Sequence, residues 1–303
     1  MSKLDLSRRD FLALSALTSV AHLPAWALQP LAVPKAANSC ALTESQQLGP
    51  YYREGALRTQ SLAAATEPGD RIRVSGNIYG GSGCQPLADV TLDVWQADAS
   101  GKYDFQDAPQ PRSPLNYRLR GQVLSNARGR YEFTSIRPGN YETRAKHIHF
   151  LVRRSGYEPL ITQLYFAGDP KNHTDTIVKP SLIRVLEPRA DGLPAVLPFD
   201  IVLQREIRWD PSLLRRGDDY VGEYAFKEMG GFIAKIAWAN GALRLDLGVG
   251  DVAAMRLVPE SASRFRAPDL DGTVTFIRNE RDEVGDLLLE IYGVPSWRGK
   301  RMP

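Results

Sequence analysis

Between Arg71 and Leu203 the chain alternates apolar and polar residues in short runs, and no stretch there holds a helical period. Val90-Thr91-Leu92-Asp93-Val94-Trp95 alternates strictly, and residues 71–74, 131–133, 147–152 and 161–166 continue the pattern. Runs of this kind send successive side chains to opposite faces of a strand. Turn clusters such as Ala99-Ser100-Gly101 and Arg137-Pro138-Gly139-Asn140 separate them. The pattern predicts an all-β chain whose first block, residues 46–205, is an antiparallel β-sandwich closing with Phe199-Asp200-Ile201-Val202-Leu203. Residues 206–217 are charged, carry Pro211 and read as a linker. A second block over 218–303 has strands expected near 220–226, 232–238, 242–247, 253–259, 264–267, 274–278 and 287–292. Asn240-Gly241 is a two-residue hairpin signal, and the meander around it predicts a small barrel-like domain. That block has no histidine and no cysteine and displays no evident chemistry.

Charge narrows the partners. Lys plus Arg is 38 against 35 for Asp plus Glu, a net charge of +3 spread along all 303 residues. So even a balance argues against a nucleic-acid surface. Two cysteines, Cys40 and Cys84, cannot build a disulfide framework or a multi-thiolate metal site. The N-terminus reads as an address. Ser7-Arg8-Arg9-Asp10-Phe11-Leu12 and the apolar run that follows resemble a twin-arginine export signal, with a small-residue cleavage site at Ala25-Trp26-Ala27. The run is shorter than the roughly 20 apolar residues that span a bilayer, so no stable membrane span is expected. Residues 1–27 are thus expected to be a signal peptide and 28–45 a leader, with a periplasmic or secreted destination. In that oxidising compartment Cys40 and Cys84 either form one disulfide or stay as two small buried hydrophobes.

The candidate chemistry lies between Trp95 and Asp169. His147-Ile148-His149 sits in an apolar run, and alternation puts both imidazoles on one strand face. Two imidazoles there can share a metal ion, or they are a pair of core histidines. Glu142 is the nearest carboxylate. Of the other histidines, His22 falls in the signal and His173 in the polar loop Lys171-Asn172-His173-Thr174-Asp175. Tyr103 and Tyr141 follow the two turn clusters. Each is a hard phenolic donor suited to a trivalent cation, or an ordinary core or rim aromatic. Tyr117, Arg118 and Arg120 are candidates for a pocket wall or a substrate carboxylate, and equally for a charged loop.

The run Leu87-Ala88-Asp89-Val90-Thr91-Leu92-Asp93-Val94-Trp95-Gln96-Ala97-Asp98-Ala99-Ser100-Gly101-Lys102-Tyr103 resembles the signature strand of intradiol ring-cleavage dioxygenases. Leu48-Gly49-Pro50-Tyr51-Tyr52, Gly129-Arg130-Tyr131-Glu132-Phe133-Thr134-Ser135-Ile136, the His-Ile-His-Phe run and Thr162-Gln163-Leu164-Tyr165-Phe166-Ala167-Gly168-Asp169-Pro170 match as well, in family order. The resemblance implies a non-haem Fe(3+) site held by Tyr103, Tyr141, His147 and His149. Tyr103 and His147 would be equatorial, Tyr141 and His149 axial. Arg144 and Gln163 match the family's arginine and glutamine beside the bound ring, and Tyr141 also serves as a proton acceptor. The implied reaction inserts O2 between the two hydroxyl-bearing carbons of a catechol, giving a cis,cis-muconate-type product without an organic cofactor. The implied partners are a small aromatic diol and O2. The interval from Tyr141 to His147 is short, as in exported single-chain relatives. The competing reading is an exported prealbumin-like β-sandwich that binds without turnover. Tyr220-Val221-Gly222-Glu223-Tyr224-Ala225-Phe226 and Leu257-Val258-Pro259-Glu260, in the second block, resemble a small β domain appended to exported hydrolase-like proteins.

Overall fold

The computed structural model describes residues 41–81, 83–106, 114–206, 217–248 and 254–303. The expected export signal, Cys40 and nearly all of the expected linker lie outside the described residues. The chain divides after residue 207 into two compact units. Among the described residues no helix is long and apolar enough to cross a membrane.

The first unit is a two-sheet sandwich. Its strands are β1 (Arg71–Gly80), β2 (Thr91–Gln96), β3 (Arg120–Leu124), β4 (Arg130–Ile136), β5 (His147–Arg153), β6 (Leu160–Phe166), β7 (Ile183–Arg184), β8 (Ala195–Pro198) and β9 (Ile201–Leu203). One sheet is ordered β4-β1-β8, with β9 also on β1, and the other β3-β2-β5-β6-β7. Pairing is antiparallel except for the parallel contacts of β8 and β9 with β1 and of β7 with β6. β9 falls in the expected closing segment 199–203, whereas β3, β7 and β8 are additions to the alternation-based reading. They carry too few residues for a period to register.

Burial explains the layering. β1 alternates strictly, with Ile72, Val74 and Ile78 inward and Arg71, Arg73 and Ser75 outward, so one face of its sheet meets solvent. β2, β5 and β6 are buried along almost their whole length on both faces. Leu92, Val94, Ile148, Phe150, Val152 and Leu164 point inward and pack with Val74, Tyr131, Phe133, Leu197 and Phe199 in one core. Phe150 is its hub, with ring centroids 5.3 Å from Phe199, 6.1 Å from Phe133 and 6.5 Å from Tyr131. The opposite face of β2, β5 and β6 is also shielded, and it carries the polar residues treated below.

The second unit is one nine-stranded antiparallel sheet. Its strands are β10 (Gly222–Phe226), β11 (Phe232–Ala239), β12 (Ala242–Asp246), β13 (Met255–Arg256), β14 (Val258–Pro259), β15 (Arg264–Ala267), β16 (Gly272–Arg278), β17 (Val284–Ile291) and β18 (Trp297–Arg301). The order runs β13-β12-β11-β10-β18-β17-β16-β15-β14. The single strand expected over 253–259 is therefore two short strands at opposite ends of the sheet. Only Leu257 separates them, so the ends of the ribbon meet and the sheet nearly closes on its core. The hairpin at Asn240-Gly241 has positive φ at both residues (52° and 72°), as its turn type requires. β18 lies beyond the last strand that the sequence pattern predicts. Trp297-Arg298-Gly299-Lys300-Arg301 shows no apolar alternation because the inward position is glycine, packed against the Phe226 ring.

Phe150→Ala should cost the sandwich about 3–5 kcal/mol, the range for deleting a fully buried phenyl ring. Urea unfolding followed by a probe in residues 41–206 would measure it. A loss under about 1 kcal/mol would show that Phe150 is not the hub.

Candidate metal centre and active site

The outer face of the five-stranded sheet is a shelf of polar side chains. Register places Arg120, Trp95, His149 and Gln163 side by side across β3, β2, β5 and β6. His147 and Tyr165 form the next row. The reason is strand geometry: residues two apart share a face, and directly paired residues lie side by side. The alternation that buries Ile148 and Phe150 in the core thus turns His147 and His149 outward. Trp95 lies flat on His149, with ring centroids 4.7 Å apart and 9° between planes.

A strap of chain covers this shelf. Gln46 N donates to Ile161 O at 2.8 Å, Thr162 Oγ1 to Glu44 O at 2.8 Å and Gln163 Nε2 to Gln47 O at 2.9 Å. Lys179 Nζ donates to Ser45 O at 2.8 Å. The strap comes so close that a Cβ on Gly49 would lie 3.3 Å from His149 Cε1. Two residues on, Tyr51 stacks on Tyr103 (4.6 Å, 16°) and meets Tyr141 edge-on at 5.5 Å.

Two turns deliver the tyrosines. Gly101 has φ +86°, and a Cβ there would lie 1.9 Å from Asn140 O, so only glycine lets the two turns touch. Gly139 N donates to Asp98 O at 2.8 Å across the same contact. Tyr103 and Tyr141 therefore emerge together, their rings 5.5 Å apart and perpendicular. Arg120, buried, donates through Nε to Asp104 Oδ1 at 2.6 Å, and its guanidinium lies over the Phe105 ring, fixing the segment after Tyr103.

The result is a convergence of donor atoms. Tyr103 Oη lies 3.0 Å from His147 Nε2 and 3.1 Å from His149 Nε2, and the two Nε2 atoms are 3.1 Å apart. Tyr103, Tyr141, His147 and His149 are all buried. The Tyr141 hydroxyl has no hydrogen-bond partner among the described residues. Burial, reinforced by the nearby Arg144 cation, pushes the His147 imidazole down to about 3. Burial and the neighbouring His147 hold His149 well below the usual histidine range. Both rings are therefore neutral, the form that ligates metals. Burial holds both tyrosine hydroxyls above the ordinary phenol range, so they stay protonated unless a cation compensates.

Hydrogen bonds alone do not satisfy this cluster. His147 Nδ1 lies 2.6 Å from Ala145 O and must carry its proton to donate there, leaving Nε2 a bare lone pair. His149 Nδ1 has no partner. If His149 is protonated at Nε2, its Nδ1 lone pair is orphaned. If it is protonated at Nδ1, two Nε2 lone pairs compete for one phenol proton. Either way a buried lone pair has no donor, which costs free energy. A cation among the three atoms would remove that deficit, and two phenolic oxygens with two imidazoles suit a hard trivalent ion. Among the described residues no group of three or more His, Cys, Asp or Glu offers a competing metal site.

Arg144 and Gln163 meet beside the cluster. Arg144 Nη2 donates to Gln163 Oε1 at 2.8 Å and to Tyr165 Oη at 3.0 Å, while its Nε donates to Asp175 Oδ2 at 2.8 Å. Tyr165 Oη lies 2.9 Å from Gln46 Oε1, a fully buried strap residue. The remaining sequence candidates supply no atom to the donor cluster. Glu142 and His173 are exposed. Arg118 pairs with Asp98 and Glu67 at the surface. Tyr117 donates to Glu54 O at 3.3 Å. Arg120 is occupied by Asp104. Sequence reasoning did not assign Tyr51, Gln46, Trp95, Tyr165, Asp169 or Asp175 to the site. Strand alternation could have found Tyr165, which lies two residues from Gln163 on the same face of β6, whereas Trp95 joins them only through the pairing of β2 with β5. The others arrive on turns and the strap, which carry no period.

Comparison with known proteins gives the same neighbourhood. The family model Dioxygenase_C, described as Dioxygenase, matches residues 48–205, just over half of the 303-residue chain. A chlorocatechol 1,2-dioxygenase from Rhodococcus opacus is 39% identical over 158 residues, covering 44% of this chain and 60% of that enzyme. The beta chain of a protocatechuate 3,4-dioxygenase from Burkholderia cepacia is 32% identical over 182 residues, covering 53% of this chain and 74% of that one. The dioxygenase domain of a dioxygenase carbohydrate-binding protein fusion from Streptomyces sp. SirexAA-E aligns with a TM-score of 0.49 at 34% identity, over 55% of this chain and 99% of that one. The match over residues 48–205 takes in the signature strand, both tyrosine turns and the His-Ile-His strand, and on it the chain belongs to the intradiol ring-cleavage dioxygenase family.

Proposed function

We propose that the protein is an exported ferric dioxygenase that cleaves a catechol-type ring between its two hydroxyl-bearing carbons, yielding a cis,cis-muconate-type product. The observation that carries this reading is the convergence of Tyr103 Oη, His147 Nε2 and His149 Nε2 within about 3 Å of one another, beside the unpartnered Tyr141 hydroxyl. Those four residues would hold the ion. A ferric ion bound there would supply Lewis acidity and a template for the two substrate oxygens.

The chain's own groups divide the remaining work. Burial keeps both imidazoles neutral and so available as ligands. Tyr141, with a buried hydroxyl beside the cluster, would as a phenolate be the group that takes one substrate hydroxyl proton. Arg144 stays cationic and offers N–H donors to negative charge that develops on the ring. Gln163 is tied to both Arg144 and the strap, so it marks the side wall of the same space. The strap and the Tyr51 ring shield the shelf from bulk water, which strengthens each of these interactions. An oxidising destination is supported by Cys84, which is disulfide-bonded; the sequence holds one other cysteine, Cys40, outside the described residues.

Purified protein supplied with ferric ion should be red-brown and should take up O2 with catechol, protocatechuate or hydroxyquinol while aromatic absorbance disappears. Colourless protein that binds such diols without oxygen uptake would point instead to a prealbumin-like binding module. Tyr103→Phe, His147→Ala and His149→Ala should each lose iron or activity, read by metal analysis and an oxygen electrode; full activity in all three rejects the ligand set. Arg144→Ala should keep its iron and colour yet turn over about 100-fold more slowly, the scale of removing one charge-stabilising donor group. An unchanged rate removes its assigned role.

A further inference from the structure

The loop that follows β6 carries two buried carboxylates, Asp169 and Asp175. Both reach across to the segment 140–147, which holds Tyr141, Arg144 and His147. Asp169 Oδ2 accepts from Asn140 Nδ2 at 2.8 Å and from Lys146 N at 2.7 Å. Asp175 Oδ2 accepts from Arg144 Nε at 2.8 Å and from Ala145 N at 2.9 Å. The first grips the ends of the segment and the second its centre. The Asp175 side chain is 4% exposed and that of Arg144 15%, so their ion pair is largely out of solvent.

The direction of these bonds matters. A guanidinium is a rigid planar fork of five N–H donors. Asp175 takes the Nε edge, and Gln163 and Tyr165 take Nη2. Among the described residues Nη1 has no hydrogen-bond partner. With Nε and Nη2 held, the plane of the fork cannot rotate about its stem, and Nη1 is the nitrogen left to meet a ligand. Asp175 also accepts the N–H of the next residue, so one carboxylate sets both the backbone and the side chain at Arg144. Asp175 is itself anchored, because Gln46 Nε2 donates to Ile177 O at 2.9 Å, two residues along the same loop.

We propose that Asp175 is the positioning residue for Arg144: it holds the guanidinium in one orientation beside the donor cluster, and the two act as one unit in turnover. The inference rests on the ring-cleaving reading above. Asp175 makes no hydrogen bond to the donor cluster; its effect passes through Arg144. A misdirected charged donor loses rate steeply, since displacements of about 1 Å cost on the order of 100-fold.

The experiment uses the ferric full-length protein with catechol as the probe. Asp175→Asn retains an oxygen that can accept both N–H bonds but loses the charge, and should lower kcat about tenfold. Asp175→Ala loses both and should lower it about 100-fold. In both variants iron content and the red-brown ferric–tyrosinate absorption should match the unmodified protein, and so should the absorption of the anaerobic catechol complex. In an Arg144→Ala background Asp175→Ala should change kcat less than twofold, because its route of action is already gone. A merely structural aspartate would instead multiply its loss onto that background, and that result overturns the proposal. So does loss of iron in Asp175→Asn, or an unchanged kcat in that variant, which also decides the matter if Asp175→Ala fails to fold. If the unmodified protein consumes no oxygen with any catechol, the functional reading fails and takes this inference with it. An active protein indifferent to Asp175→Asn overturns this inference alone.

Discussion

Three lone-pair donors crowded onto a dry sheet face are unfavourable unless something positive is shared among them. The structure builds that crowding deliberately from several elements. His147 and His149 come from one strand, Tyr103 from a turn after the neighbouring strand, and the shield of Tyr51 and Gly49 from a strap. Each element is fixed by contacts away from the donors: the Phe150 core beneath, the Asp104–Arg120 pair beside Tyr103, and the backbone bonds of the strap. The electrostatic deficit at the centre is thus held in place by packing and hydrogen bonding at the periphery.

The two tyrosines are not equivalent in their surroundings. Tyr103 is stacked by Tyr51, bonded to His147 and His149, and followed by a buried ion pair. Tyr141 meets its aromatic neighbours only edge-on, and its hydroxyl has no partner among the described residues. The next residue, Glu142, has positive φ and is exposed. This difference separates a hydroxyl held against the two imidazoles from one that lies apart from them. It is set by what surrounds each ring, since the two side chains are chemically identical.

The second unit is organised by closure. Its sheet begins and ends in strands separated by Leu257 alone, so the edges that would otherwise remain unpaired are brought together by a single change of direction. Its interior is aromatic and aliphatic, with Tyr220, Phe265 and Phe276 in mutual contact. No histidine or cysteine occurs in it.

Much of this was legible in the order of residues. Period-two runs marked the long strands, because burying one face of a sheet requires alternation. The same rule put His147 and His149 on one face, and the motif resemblance picked out Tyr103, Tyr141, Arg144 and Gln163. The short strands β3, β7 and β8 and the terminal β18 escaped, since two to five residues without clear apolar alternation define no period. So did Gln46, Tyr51, Asp169 and Asp175, which reach the site from a strap and a loop. Residue order by itself determined the all-β class and which side chains share a strand face, since both follow from local backbone geometry. Only the tertiary structure decided that those faces meet as one buried cluster, that Gly101 lets the two tyrosine turns touch, and that Asp175 turns Arg144. Those contacts join residues far apart in the chain, and their energies arise only when the strands have paired and water has left.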